Sequence, residues 1–165
     1  MTAILFYDVV TAVHVLGVVV AFGITFAYPL LLRWVKGRHP HAMPALHGAQ
    51  DMLGKRIITP GMVVVLVAGI YLASDRDLWD RVWVSVPMVI LIVLFGLGGA
   101  FFAPQERKLA ELSQRDLASG SEPGTVRFSA EYEALYQRVY TVGLVAAGLV
   151  AVAVFFMVAK PGGYA

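Results

Sequence analysis

Hydrophobic and polar positions along this chain alternate in long blocks. Residues 9–32 run for 24 positions without a charge. At ~1.5 Å rise per residue, such a run crosses a hydrocarbon layer of ~30 Å as a helix. Reading the first span as 4–32, further apolar blocks follow at 57–73, 82–103 and 139–158. The second is short for a crossing, but the polar segment before it extends it. There Leu46, Ala49, Leu53 and Ile57 recur at helical spacing after Pro44, a residue suited to a first helical turn. The pattern predicts an all-α fold, a bundle of four transmembrane helices in one domain covering 1–165.

The boundaries carry their own signals. Tyr28, Trp34, Trp79 and Trp83 are placed as interfacial anchors. The first helix is expected to end near Arg33 and Trp34, with Pro29 placed to kink its last turn and residues 39–44 breaking the helix. Pro60 is expected to bend the second span near the interface. Gly96, Gly98 and Gly99 form either a close-packing surface or a point of flexibility. Beyond Pro104 a charged segment reads as helix with Leu109 and Leu112 on one side, and 118–125 reads as a linker. Ser129 is the expected N-cap of the last helix. Along that helix Tyr132, Tyr136 and Tyr140 recur at i, i+4 and i+8, read as interface and packing residues rather than a redox path.

Arg56, Thr59 and Gly61 share the spacing Arg-x-x-Thr-x-Gly with Arg138, Thr141 and Gly143. Pro29 and Pro104 likewise fall near the ends of the first and third spans. Taken as repeats, the chain is two similar helical hairpins about an axis along the membrane normal. Arg56 and Arg138 would then lie at equal depth, with Glu106 the nearest acidic residue.

Composition narrows the class. Hydrophobic residues make up 59% of the chain, charged residues 15%, and the mean hydropathy is +0.74. Water-soluble domains carry about a quarter charged residues, so the expected solvent is lipid. A net charge of +2, with no basic run interleaved with aromatics, excludes nucleic acid as a partner. With no cysteine there are no disulfides, thiolate nucleophiles or iron–sulfur clusters. The N-terminus lacks a basic n-region, so the first span is expected to be retained. Ten of the 13 lysines and arginines lie in the first and third loops. Those loops are expected in the cytoplasm of a bacterium, the chain crossing the inner membrane with both termini outside. The expected partners are the bilayer and other membrane subunits or further copies of the chain.

Three groups of residues carry candidate chemistry. His14 shares a stripe with Thr11, Gly17 and Ala21, and is expected to face protein because a histidine in lipid is costly. It is suited to bind haem or a metal, to carry protons, or to pack as a hydrogen-bonded histidine. His39, His41, Met43 and His47 offer the imidazole and thioether donors of a copper or zinc site, or form a plain basic loop. Arg56 and Arg138 suit a lipid phosphate or porphyrin propionates, because the guanidinium fork binds such oxygens bidentately, or they snorkel to the interface. No Ser–His–Asp order, pair of carboxylates within a span, or phosphate loop is present, so enzymatic activity stays open.

The stretch beginning His14-Val-Leu-Gly, the segment from Lys55 and Arg56 through Pro60 to Gly69, and the close at residues 156–161 resemble the bacterial predicted integral membrane protein family, domain of unknown function 2269. The resemblance covers most of the chain. More distantly, the first two spans resemble HemJ-type protoporphyrinogen oxidases and the CopD copper-resistance family, through His14, Arg33, Lys55, Arg56 and Pro60. That likeness implies haem b binding at His14. The functional expectation is a non-catalytic membrane subunit or scaffold that binds haem or porphyrin. The alternatives are a HemJ-like porphyrin oxidoreductase and a copper-handling protein using the histidine–methionine loop.

Overall fold

Proline placement shapes the helices as much as hydrophobicity does. The structure, a computed structural model, describes residues 6–119 and 126–162. It contains α1 (Phe6–Arg38), α2 (Met43–Leu53), α3 (Thr59–Asp75), α4 (Val82–Gly96), α5 (Ala103–Ala118) and α6 (Ala130–Ala159). A π-helical segment, Gly54–Ile58, joins α2 to α3, and a second, Leu97–Phe102, joins α4 to α5. Four long helices result: Phe6–Arg38, Pro40–Asp75, Val82–Ala118 and Ala130–Ala159, each long and apolar enough to cross a membrane.

Both π-helical segments end just before a proline, Pro60 or Pro104. A proline cannot donate to the carbonyl four residues back, and its ring clashes with that carbonyl. Here those carbonyls belong to Arg56 and Ala100, each inside a π-helical segment. An extra residue in the turn accommodates them without ending the helix. The expected bend at Pro60 is therefore a widened turn. Gly96, Gly98 and Gly99 lie at or beside the second such segment, and a Cβ on any of them would meet nothing within 4 Å. They are not a close-packing surface. α1 continues through Pro29 and past Trp34 to Arg38, longer than its composition suggested. Of the expected linker, residues 120–125 lie outside the described residues. Ser129 does cap α6, its Oγ accepting from the Tyr132 amide at 3.3 Å.

The helices form a ring in chain order, α1 packing on α3, α3 on α4, α4 on α6 and α6 on α1, while α2 packs on α5 at one end. Small residues bring α1 and α3 together. A Cβ on Gly17 would lie 3.0 Å from Val65 Cγ2, and one on Gly61 would lie 3.0 Å from Ala21 Cβ. This is the close approach that a stripe of small residues permits. The outer surface is apolar, with Leu30 72% and Val158 75% exposed. Inside, the buried side chains divide in two. A mid-span cluster holds Ala21, Phe22, Met62, Val65, Ile90, Leu91, Leu94, Ala146 and Val150. A second lies at the α2/α5 end, around Leu32, Met43, Leu109, Tyr132 and Val139.

The two hairpins differ in detail. The π-helical segments fall in the second helix of the first hairpin and the first helix of the second. Gly61 packs on Ala21 within its own hairpin, whereas the nearest atom to a Cβ on Gly143 is Pro29 Cγ of the other hairpin, at 4.0 Å.

Candidate functional site

Among the described residues the buried polar side chains, His47, Glu106, Ser113 and Asp116, are all at the α2/α5 end. α2 turns Met43 and His47, one helical turn apart, into the bundle. α5 meets them with Glu106, Leu109, Leu112 and Ser113. His47 is 0% and Glu106 1% exposed, so the two are withdrawn from solvent altogether.

Each of four helical segments contributes one polar group. His47 Nδ1 lies 2.6 Å from Glu106 Oε2. The Tyr28 hydroxyl, from α1, donates to the same oxygen at 2.9 Å. On the other side of the imidazole, Nε2 lies 3.1 Å from the Tyr132 hydroxyl of α6. With Nδ1–H donating to the carboxylate, Nε2 accepts the Tyr132 proton. The chain then reads Tyr132, His47, Glu106, Tyr28 without a break. Among the described residues the buried Glu106 Oε1 has no hydrogen-bond partner, and neither has the buried Oε1 of Gln50, on the same face of α2 as His47. A hydroxyl on an imidazole backed by a carboxylate is an arrangement that moves protons.

Aromatic rings continue the cluster along α6. Phe128 and Tyr132 stack with centroids 4.3 Å apart, Tyr132 and Tyr136 follow at 6.0 Å, and Tyr136 and Tyr140 at 6.3 Å. Lys36 lies over the Tyr136 ring, 4.1 Å from its centroid, and pairs with Glu133. Asp51 pairs with Lys55 and with Arg107. Asp116 accepts from the Ser129 amide at 2.8 Å, pinning the start of α6 to the end of α5.

His14 occupies a second polar position, in the apolar part of the bundle. Its Nδ1 lies 3.0 Å from the Val65 carbonyl of α3, the only role that oxygen allows being acceptance of an Nδ1–H. Gly69 makes the room, since a Cβ there would come within 3.2 Å of the His14 ring. The stripe of His14, Gly17 and Ala21 thus faces α3.

The remaining candidates are not brought together. His39 and His41 are exposed whereas Met43 and His47 are buried. Among the described residues no three histidine or carboxylate side chains are placed to hold a metal ion. Arg56 and Arg138 are both exposed, Arg138 lying over the Phe101 ring at 5.4 Å. Glu106, expected near these arginines, gives its Oε2 to His47 and Tyr28 instead. The pairing of His47 with Glu106 was missed because 59 residues separate them. A signal was present all the same: Glu106 directly follows a long apolar span, and His47 recurs one turn after Met43.

Fold and site together define a membrane-embedded four-helix protein with a buried histidine–carboxylate cluster at one end. The chain belongs to the predicted integral membrane protein family DUF2269, whose family profile matches residues 8–161. No curated protein and no solved structure matches it.

Proposed function

We propose that this protein is a non-catalytic subunit or scaffold of the bacterial inner membrane, with both termini outside and the α2/α5 end in the cytoplasm. One observation carries the reading: the groups able to do chemistry are used to join helices to one another. His14 bonds α3 through its Nδ1, and His47, Glu106, Tyr28 and Tyr132 bond one another across four helical segments. The outer surface of the bundle is an apolar wall, suited to lipid and to other membrane helices. Native mass spectrometry of the chain released from its own membranes in mild detergent tests this. The expected result is an assembly heavier than the 17.9 kDa chain. A bare monomer at every detergent concentration overturns it.

Tetrapyrrole binding at His14 is a second reading, favoured by one detail. A histidine that donates Nδ1–H to a backbone carbonyl keeps its Nε2 lone pair for a metal, with the ring held in orientation. His14 is held in this way by Val65. Haem, when bound, would supply redox chemistry, and His14 is the residue that would hold it. A Soret band in the purified protein that His14→Ala abolishes supports this reading, and a colourless preparation from haem-replete cells rejects it. The HemJ-like oxidoreductase activity stands or falls with that band.

A further inference from the structure

We propose that Glu106 is a buried proton-binding site, loaded from water through Tyr132 and His47. The argument begins with charge. An ionised carboxylate withdrawn from water needs a cation or several donors. Glu106 has two donors on Oε2, from His47 and Tyr28, and none on Oε1.

The titratable groups facing Glu106 are Tyr28 from α1, His47 from α2, and Tyr132 with Tyr136 from α6. Several charged groups of the same elements have other partners, and Arg33 of α1 lies within electrostatic reach of Tyr136. Lys36 pairs with Glu133, Asp51 with Lys55 and Arg107, and Asp116 with Arg115. Among the described residues no lysine or arginine pairs with Glu106, so a proton is the cation that the site takes.

The inner part of a path for that proton is in place, headed by Tyr132, which is itself fully buried and does not line the surface cleft beside it. A cleft of about 460 Å³ opens on the surface beside Lys36, Phe128 and Glu133. Phe128 stacks on Tyr132, and Tyr132 reaches His47 Nε2. A proton delivered from cleft water to the Tyr132 oxygen lets the original Tyr132 proton pass to His47 Nε2. The Nδ1 proton then passes to Glu106 Oε2, over the 2.6 Å contact. The balance is one proton gained by Glu106, with Tyr132 restored and the imidazole inverted from its Nδ1–H to its Nε2–H tautomer. Glu106 becomes neutral, and its Oε1 becomes a carbonyl oxygen, far cheaper to leave unpaired than half of a carboxylate. Because the four members come from four helical segments, loading this proton also sets how tightly α2 and α5 seat against α1 and α6.

Infrared difference spectroscopy of the full chain in phosphatidylglycerol-containing nanodiscs tests the proposal. Spectra recorded before and after a pH jump report carboxyl protonation. The wild type should show a carboxylic-acid C=O band that Glu106→Gln removes and Glu111→Gln, at an exposed position, leaves in place. Superimposable wild-type and Glu106→Gln difference spectra overturn the site, as does an imidazolium signal in place of the carboxyl band. Tyr132→Phe deletes one hydroxyl and keeps the ring stack, which makes it the variant to use if Glu106→Gln fails to fold. After a pH jump its band should appear at least about tenfold more slowly than in the wild type, the loss expected on removing a proton-transfer group. An unchanged rate overturns the relay.

Discussion

Gly61 and Ala21 pack backbone to backbone, so that a Cβ on the glycine would stand 3.0 Å from the alanine Cβ and 3.4 Å from its Cα. Neither atom is the end of a flexible side chain, so only a shift of the whole helix relieves the contact. Gly61→Val should therefore push α3 from α1, at a cost of about 1–3 kcal/mol from overpacking. Gly148, in α6, has nothing within 4 Å of a built Cβ. Gly148→Ala should be neutral or stabilising by up to about 1 kcal/mol through helix propensity. Unfolding of both variants in detergent micelles makes the comparison. Equal stability of the two would mean that α1 and α3 are not in contact at Gly61.

The His47–Glu106 pair should outweigh any surface pair. Removing the donor of a buried carboxylate costs about 3–5 kcal/mol, because the charge is left without compensation. His47→Ala should show a loss of that size in the same unfolding assay. Lys108 and Glu131 form a pair at 2.9 Å with both side chains about half exposed, and Lys108→Ala should cost about 0–1 kcal/mol. The double variant His47→Leu with Glu106→Leu should lose less than the two single variants summed, since it strands neither member of the pair and leaves the hydroxyls of Tyr28 and Tyr132 as the groups that lose a partner. A strictly additive double variant would show that the two residues do not interact.

The sequence disclosed the spans and concealed the site, for reasons that lie in particular residues. Four apolar blocks are long enough to read directly, and Leu109, Leu112 and Ser129 all take the places that periodicity and capping assign them. The face of α2 was read one residue out of phase. Leu46, Ala49, Leu53 and Ile57 suggested a stripe, but the bundle buries Met43 and His47. In a short helix a rotation of one residue leaves the apolar count almost unchanged while it moves a histidine from surface to core. The Arg-x-x-Thr-x-Gly match carries less information, because antiparallel spans with basic ends place arginines near span ends with or without a repeat, and the two glycines pack differently, Gly61 on Ala21 and Gly143 nearest Pro29.

His14 and Gly69 form a pair that a double-mutant cycle resolves. A side chain on Gly69 would meet the His14 ring at 3.2 Å, and that ring is tied to Val65 at 3.0 Å. Gly69→Val should displace the imidazole and break the hydrogen bond, costing about 1–3 kcal/mol. In a His14→Ala background the obstacle is gone, and the same substitution should cost markedly less. The expected coupling is about 0.5–3 kcal/mol. Absence of coupling would place the ring elsewhere, and would also withdraw the support for haem at His14.

Orientation supplies the last prediction. Positive residues near the ends of spans resist translocation, which is why loops rich in lysine and arginine stay in the cytoplasm. Arg33, Lys36, Arg38, Lys55, Arg56, Arg107, Lys108 and Arg115 all belong to the two connections at the α2/α5 end, whereas Arg76 and Arg81 are at the other. The chain has no cysteine, so one introduced thiol reports alone. Ser74, at the end of α3, and Ser119, just after α5, are both exposed and lie at opposite ends of the bundle. In intact cells a membrane-impermeant maleimide should label Ser74→Cys and spare Ser119→Cys, which should react only after the membrane is permeabilised. Labelling of Ser119→Cys alone would turn the protein over. The buried cluster would then open toward the outside, and any proton reaching Glu106 would come from that compartment.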